Sequence, residues 1–207
     1  QAMHNRALDL QELDLRHIAW RKVKIDEDDA DVRIPLTVPE LHAFMDAATP
    51  RLRNAIMFAL LTGLRHAEVY SLNWEDVAWS QQAIRFRGKG NKAVLFPISA
   101  AAARLLSEMA AGRQPNELTG PIFDETNYRR EFDRARKAIG KPETDFHALR
   151  HAFATMLREA GVPDDTLSRA LRHSDTKISQ RYIHAEDPKL RDAMEIAAQK
   201  LLTNEAA

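Results

Sequence analysis

The sequence contains no cysteine among its 207 residues, which excludes disulfide bonds, thiolate metal sites and a thiol nucleophile. It also lacks an apolar run near the roughly 20 residues that a membrane-spanning helix needs, and no signal peptide is visible. A phosphate-cradling GxxxxGK[ST] motif and a carboxylate cluster suited to Mg²⁺ are missing as well. The absence of cysteine predicts a reducing compartment, and the other absences are consistent with a cytoplasmic protein that uses no cofactor, neither ATP nor metal.

Net charge is absent too, because 30 basic side chains balance 30 acidic ones, and this argues against non-specific wrapping of nucleic acid. The balance hides an asymmetry. Residues 1–49 hold ten Asp/Glu against six Lys/Arg, so the rest of the chain carries four positive charges in excess. Two basic runs stand out, Arg85 to Lys92 and Thr126 to Lys141. Such runs are usually solvated faces, and contact with nucleic acid is the alternative.

Hydrophobic periodicity predicts a mainly α fold with a small antiparallel β-sheet (α+β). Residues 1–33 fit neither period and include an acidic run, so they are expected to form an interdomain linker or N-terminal extension. Thr37 and Glu40 form a capping box for the first helix, and Gly63 suits a left-handed stop after the second. The predicted helices cover residues 38–48, 51–62, 65 onwards, 100–111, 127–139, 146–160, 163–172, 177–184 and 188–202.

One segment between these helices has the period of a strand. Residues 83–87 alternate, residues 88–91 are turn formers, and residues 93–96 return to an apolar strand before a proline. This pattern predicts a β-hairpin with Lys89 at its tip. A lysine in that place is ordinarily a solubilising charge.

Histidine and arginine are concentrated between Asp145 and Ala185, around the single tyrosine Tyr182. His147 and His151 are spaced for a helical zinc site, but position 148 is alanine rather than a catalytic glutamate. Arg150 lies between the two histidines on the same face, and a guanidinium cannot ligate a metal. Cations grouped with a phenol indicate instead an anion site with a nucleophile beside it.

Five short motifs follow one another along the chain: TGLRHAE (62–68), GKGNK (88–92), HALRH (147–151), LRH (171–173) and YIH (182–184). Together they resemble the catalytic domain of the tyrosine recombinases, the phage-integrase and Xer-like family, over about residues 34–186. The resemblance implies a catalytic domain over residues 34–186. Residues 187–207 are then a C-terminal helix and possible protomer-docking tail, which in the family packs on a neighbour or folds back.

The resemblance also assigns roles. Tyr182 would attack a DNA phosphodiester to give a 3′-phosphotyrosyl link. Arg65 and Arg150 would clamp the phosphate, with Glu68 supporting Arg65 or a neighbouring histidine. The remaining catalytic groups would be Lys89 as general acid, His147 as proton acceptor and His173 as hydrogen-bond donor. The residues expected to contact DNA are Arg85, Arg87, Lys92, Arg129, Arg130, Arg134 and Arg136.

The implied partner is double-stranded DNA, at the nucleoid, with self-association on DNA as a tetramer when the protein is full length. The sequence departs from the family pattern in two places. Arg172 stands where members usually have glycine, so it either adds a phosphate contact or crowds the helix turn. An N-terminal DNA-clamping domain has no room in 207 residues, so we expect weak DNA binding. A type IB topoisomerase-like enzyme and a DNA-binding regulatory module without catalysis are the alternatives.

Overall fold

The computed structural model describes residues 36–87, 93–113, 117–172 and 187–203, with the side chains of Arg87 and Ala93 excepted. Within these ranges the chain forms eight α-helices and one three-stranded antiparallel sheet, which confirms the predicted fold class. The helices are α1 (Val38–Ala47), α2 (Pro50–Thr62), α3 (His66–Tyr70), α4 (Ala100–Met109), α5 (Tyr128–Ala138), α6 (Phe146–Glu159), α7 (Asp164–Leu171) and α8 (Pro188–Leu202). The strands are β1 (Val77–Ala78), β2 (Ala83–Arg87) and β3 (Ala93–Pro97).

Helix α2 is the element on which most of the others pack, since it contacts α1, α3, α4, α5, α6 and α8. Its start is defined by the Thr49 hydroxyl, which accepts the Leu52 amide at 3.4 Å, and by Pro50, whose missing N–H costs nothing in a first turn. Most of its side chains are buried, including the fully enclosed Phe58 and Leu60. Because α2 is buried on nearly all sides, it fixes the position of the segment that follows Gly63.

The sheet has the order β1-β2-β3. The predicted hairpin is confirmed as β2 and β3, which pair antiparallel from Ala83 opposite Pro97 to Arg87 opposite Ala93. Lys89, predicted at the tip, lies outside the described residues. Strand β1 was not predicted, because its two residues are too short to show an alternating pattern.

Helix α8 packs against α2, α4, α6 and α7 of its own chain. Its apolar stripe of Leu190, Met194, Ala197 and Leu201 is buried there. Two polar contacts fix the helix: Asp187 caps its first turn and pairs with Arg169 of α7, and Glu195 accepts the Ala100 amide at the start of α4 at 2.7 Å. The described part of this helix therefore folds back and completes the core of its own domain.

The helix boundaries agree with the sequence predictions to within two residues for seven of the eight helices, and α3 ends at Tyr70. The short helix predicted for residues 177–184 and the linker predicted for residues 1–33 lie outside the described residues. Among the helices that are described, none combines the length and the hydrophobicity that crossing a bilayer requires.

Candidate active site

Arg150 is a buried arginine on α6 with only 4% of its surface exposed. The helix begins at Asp145, whose side chain accepts the Ala148 amide at 3.0 Å. From this helix the Arg150 Nη1 donates to the Gly63 carbonyl at 2.7 Å, and its Nη2 donates to the Leu171 carbonyl. One guanidinium thus joins the end of α2 to the end of α7 and is held in a single orientation.

Gly63 supplies the first of those carbonyls from a backbone conformation that favours glycine. Its φ is 64°, and its amide donates to the Ala59 carbonyl at 2.8 Å to close α2. A Cβ at this position would lie 2.4 Å from the Phe153 ring. Both the turn and the close packing of α6 against α2 therefore require the absence of a side chain.

Arg65 follows Gly63 by two residues and stands at the start of α3. Glu68, one turn along, accepts the Arg65 amide through Oε2 at 2.7 Å. The Arg65 guanidinium lies 3.5 Å from the other oxygen, Oε1, and its side chain is 47% exposed. Arg65 therefore presents a charge to solvent close to the carbonyl that holds Arg150.

Arg172 also contacts Glu68, although 104 residues separate them in sequence. Its Nη2 donates to Glu68 Oε2 at 2.5 Å, and its guanidinium carbon lies 5.0 Å from the Phe86 ring centre and 4.7 Å from that of Phe96. The residue ends α7 with φ 52°, in the left-handed region. Its side chain thus turns towards Glu68 and the sheet.

His147 and His151 lie one turn apart on α6, and both are partly exposed. Their ring centres are 4.5 Å apart and the ring planes meet at 88°. Among the described residues no group of three or more His, Cys, Asp or Glu is placed to hold a metal ion. Both histidines lie in the first two turns of α6, as Arg150 does.

The other residues predicted from the sequence are placed as follows. Tyr182, His173, Lys89 and Lys92 lie outside the described residues, as does the side chain of Arg87. Arg85 on β2 is exposed and donates to the Glu75 carbonyl at 3.0 Å.

Helix α5 carries the remaining predicted DNA contacts. Arg129, Arg130 and Arg134 are exposed. Arg136 is half-buried, because it donates to Asp133 at 2.8 Å and to the Thr144 carbonyl at 3.2 Å. Three of these four arginines are therefore open to a ligand, and the fourth is engaged in tying α5 to the segment before α6.

His66 was not singled out by the sequence, yet it occupies an aromatic cluster beside Arg65. Its ring centre lies 4.7 Å from that of Tyr70, 4.4 Å from that of Tyr128 and 5.1 Å from that of Phe146. Burial lowers the pKa of His66, and Arg129 lowers it further, against an opposing effect of Glu125. The only sequence signal was its place between Arg65 and Glu68.

Comparison with known proteins decides the family. The family model described as the phage integrase family matches residues 35–189, about three quarters of the chain. The chain belongs to the phage integrase family.

Relatives of this phage integrase family member include tyrosine recombinases. The chain is 31% identical over 161 residues to the tyrosine recombinase XerC of Bifidobacterium longum, covering 68% of this chain and 45% of the relative. It is 31% identical over 192 residues to XerD of Halalkalibacterium halodurans, covering 82% and 64%. The chain therefore spans about half to two thirds of the length of these curated relatives.

Its fold is similar to that of the integrase from mycobacterium phage Brujita. The TM-score is 0.63 and the sequence identity 22%, over 81% of this chain and 58% of the other. At this identity the likeness establishes the fold alone.

In this integrase-family domain, Arg65 and Arg172 contact the Glu68 carboxylate, and the charge of Arg150 interacts with all three groups. Burial, with the positive charges of Arg65 and Arg172, lowers the pKa of Arg150 to about 9. Burial also lowers the pKa of Arg172, against the opposing charge of Glu68. Burial alone would raise the pKa of Glu68, but Arg172, the Arg65 amide and Arg65 hold it below its ordinary value. These four side chains carry two positive charges in excess, so the site is suited to an anion.

Inorganic phosphate is expected to stabilise the integrase-family domain through this excess charge. With a dissociation constant of about 10 mM, phosphate at about 100 mM would add about 1.4 kcal/mol. That is a rise in melting temperature of about 4 °C. The measurement is thermal unfolding in phosphate and in sodium chloride at equal ionic strength.

Two variants test where the phosphate acts. Arg65→Gln should lose most of the phosphate-specific rise. Arg104→Gln should keep it, because Arg104 is an exposed arginine of α4 that lies near Glu108 instead. An equal rise in wild type and in Arg65→Gln would show that the anion binds elsewhere.

Proposed function

We propose that residues 34–186 of this chain form the catalytic domain of a site-specific DNA recombinase. The domain cleaves and rejoins DNA through a 3′-phosphotyrosyl intermediate, without metal or ATP. The observation that carries the proposal is the buried Arg150, fixed between the Gly63 and Leu171 carbonyls near the exposed Arg65, in a cluster with two positive charges in excess. Membership of the phage integrase family supports it.

Positive charge of this kind suits a phosphoryl transition state. The pentacoordinate phosphorus gains negative charge on its non-bridging oxygens, and a planar guanidinium matches two oxygens better than a lysine does. In the proposed site Arg65 and Arg150 bind those oxygens. Two arginines together with Lys89 provide charge stabilisation of the sort that a divalent ion provides in many nucleases.

Tyr182 is the proposed nucleophile. A free phenol has a pKa of about 10, so about one molecule in a thousand is ionised at neutral pH. A nearby base is therefore needed, and His147 is proposed to accept the phenolic proton. As the Tyr182 oxygen bonds to phosphorus, the bond from phosphorus to the 5′ oxygen breaks. Lys89 protonates that oxygen, and His173 donates a hydrogen bond to the phosphate.

Rejoining is the same sequence in reverse, with a 5′-hydroxyl attacking the phosphotyrosyl ester. The ester retains the free energy of the original phosphodiester, so ligation needs no nucleotide. Glu68 is proposed to support Arg65, in keeping with its contacts to the Arg65 amide and guanidinium. With self-association on DNA, two strands cleaved in this way can exchange partners.

The proposed DNA surface includes the exposed arginines of α5, Arg129, Arg130 and Arg134, together with Arg85. Arg87 and Lys92 are assigned to it from the sequence alone. Contacts of this type with backbone phosphates supply most of the affinity and weaken as salt rises. Arg136 is a weaker candidate than its neighbours, because Asp133 and the Thr144 carbonyl already engage it.

The test is a covalent-adduct assay in EDTA. The substrate is a pool of short, nicked, labelled duplexes with a randomised core, so that a cleaved strand loses its 5′-hydroxyl fragment and the adduct accumulates. Wild type should give a denaturation-resistant protein–DNA adduct with the link mapped to Tyr182 by mass spectrometry. Tyr182→Phe should give none.

Three outcomes would contradict the proposal: no adduct with wild type, an adduct with Tyr182→Phe, or a requirement for Mg²⁺. Sequencing of the trapped strands also identifies the preferred site. Efficient relaxation of supercoiled plasmid lacking that site would favour a topoisomerase-like enzyme over a recombinase.

A further inference from the structure

Glu68 contacts two arginines, and its contact with one of them is closer than its contact with the other. Its Oε2 accepts the Arg65 amide at 2.7 Å and the Arg172 Nη2 at 2.5 Å. Its Oε1 lies 3.5 Å from the Arg65 guanidinium, which is longer than a good charge-assisted hydrogen bond. Arg172 is thus the closer ionic partner of Glu68, and Arg65 is the looser one.

Arg172 is held in this place by contacts that a surface arginine does not have. Its side chain is 11% exposed and lies over the rings of Phe86 and Phe96. Its backbone adopts φ 52°, a conformation that glycine would adopt with less strain. Its Nη1 is buried and finds no hydrogen-bond partner within the part of the chain that the structure describes. A strained, buried cation at a position that suits glycine has a use beyond packing.

Arg65 and Arg172 compete for the Glu68 carboxylate, and this competition indicates what Arg172 does. A half-buried Glu68 without Arg172 would have Arg65 as its nearest cation, and the 3.5 Å contact would shorten into a full ion pair. The carboxylate cancels part of the field of an arginine paired in that way and leaves it fewer N–H donors for a phosphate. The Arg65 side chain is 47% exposed, so it is free to move towards the carboxylate.

We propose that Arg172 is a positioning residue: it neutralises Glu68, and thereby leaves the Arg65 guanidinium available to the phosphate. The inference rests on the proposed strand-cleavage function. It assigns Arg172 neither a phosphate contact nor a purely structural role. The ion pair with Glu68 and the contacts with the Phe86 and Phe96 rings offset the strain of the left-handed backbone at the end of α7.

The first variant is Arg172→Met, which keeps an unbranched side chain over the two aromatic rings and removes the charge. We expect the rate of adduct formation at saturating DNA to fall about tenfold, because Arg65 is displaced from its working position. The dissociation constant for the same labelled duplex, measured by fluorescence anisotropy, should change by less than about threefold, since most of the affinity comes from other phosphates. Arg104→Met is the matched control, and its rate should equal that of wild type.

The deciding variant is the double substitution Arg172→Met with Glu68→Gln. A glutamine oxygen can still accept the Arg65 amide, but it carries no charge that would draw the Arg65 guanidinium inwards. Removing both members of a buried ion pair is also milder than removing one. The double variant should therefore react at least about threefold faster than Arg172→Met. A double variant as slow as Arg172→Met, or slower, would overturn the proposal. Recovery of the melting temperature without recovery of the rate would likewise assign Arg172 a structural role alone.

Arg172→Lys keeps the proposal testable if Arg172→Met does not fold. Lysine restores the charge beside Glu68 without the planar fork, so its rate should stay within about threefold of wild type. A lysine variant as slow as the methionine variant would show that charge is not the cause. If wild type forms the adduct and Arg172→Met forms it at the same rate, this inference alone is overturned. Absence of adduct with wild type overturns the proposed function, and this inference with it.

Discussion

Replacing Arg150 by lysine is expected to lower the rate of strand cleavage by about a hundredfold or more, the usual effect of losing one preorganised donor to a transition-state oxyanion. The guanidinium reaches two carbonyls, those of Gly63 and Leu171, and still has further N–H groups for a phosphate. A lysine ammonium is a point charge with three donors and cannot keep both carbonyls and a bidentate phosphate contact together.

The measurement is single-turnover adduct formation at saturating DNA, with thermal unfolding recorded for the same preparations. Lysine retains the positive charge, so the melting temperature should fall modestly, by the equivalent of about 1–3 kcal/mol for a buried hydrogen bond left unmade. Arg158→Lys is the matched control, since Arg158 is an exposed arginine of the same helix. A cleavage rate in Arg150→Lys within a few-fold of wild type would exclude Arg150 from the phosphate clamp.

Gly63→Ala is expected to be among the most damaging single-methyl changes in the chain. An L-residue at φ 64° is strained by about 1 kcal/mol, and a Cβ placed 2.4 Å from the Phe153 ring adds the cost of an overpacked core, about 1–3 kcal/mol. The loss of unfolding free energy should therefore be about 2–4 kcal/mol. The displaced Gly63 carbonyl also removes one of the two bonds that orient Arg150, so cleavage should slow even where the variant is folded.

Urea denaturation gives the free energy of unfolding, and Gly140→Ala provides the control. Gly140 has φ 69° but no atom within 4 Å of the Cβ position, so its alanine variant carries only the backbone strain. The difference in the free energy of unfolding between the two variants measures the cost of the clash with Phe153. Equal losses in both would mean that α6 moves aside at little cost, and the proposed coupling between this turn and Arg150 would be wrong.

The sequence was sufficient for the local parts of this fold. Capping by Thr37, the glycine stop at Gly63 and the alternation of residues 83–87 depend on neighbours a few positions away, and each is present in the structure. The family resemblance grouped Arg65, Glu68 and Arg150. In the structure Arg65 contacts Glu68, and Arg150 donates to the carbonyl of Gly63, two residues before Arg65.

Other features depend on residues far apart in the chain, for which a single sequence has no signal. The pairing of Glu68 with Arg172 spans 104 residues, and the bond from Arg150 to Gly63 spans 87. Nothing local to Arg172 predicts that its side chain turns towards the sheet and not towards solvent. The His66 cluster is similar, because its aromatic partners come from α3, α5 and α6.

The two arginines of the proposed phosphate clamp differ in the kind of partner that orients them. Arg65 lies beside a carboxylate, which opposes part of its field at the substrate. Arg150 is held by main-chain carbonyls, which are dipoles with no net charge, so it is aligned while its monopole is left uncancelled. Since a dipole's field falls off faster with distance than that of a full charge, a phosphate reaching the site meets nearly the whole charge of Arg150. Main-chain carbonyls at two helix ends thus orient Arg150 without neutralising the charge that would attract the proposed phosphate ligand.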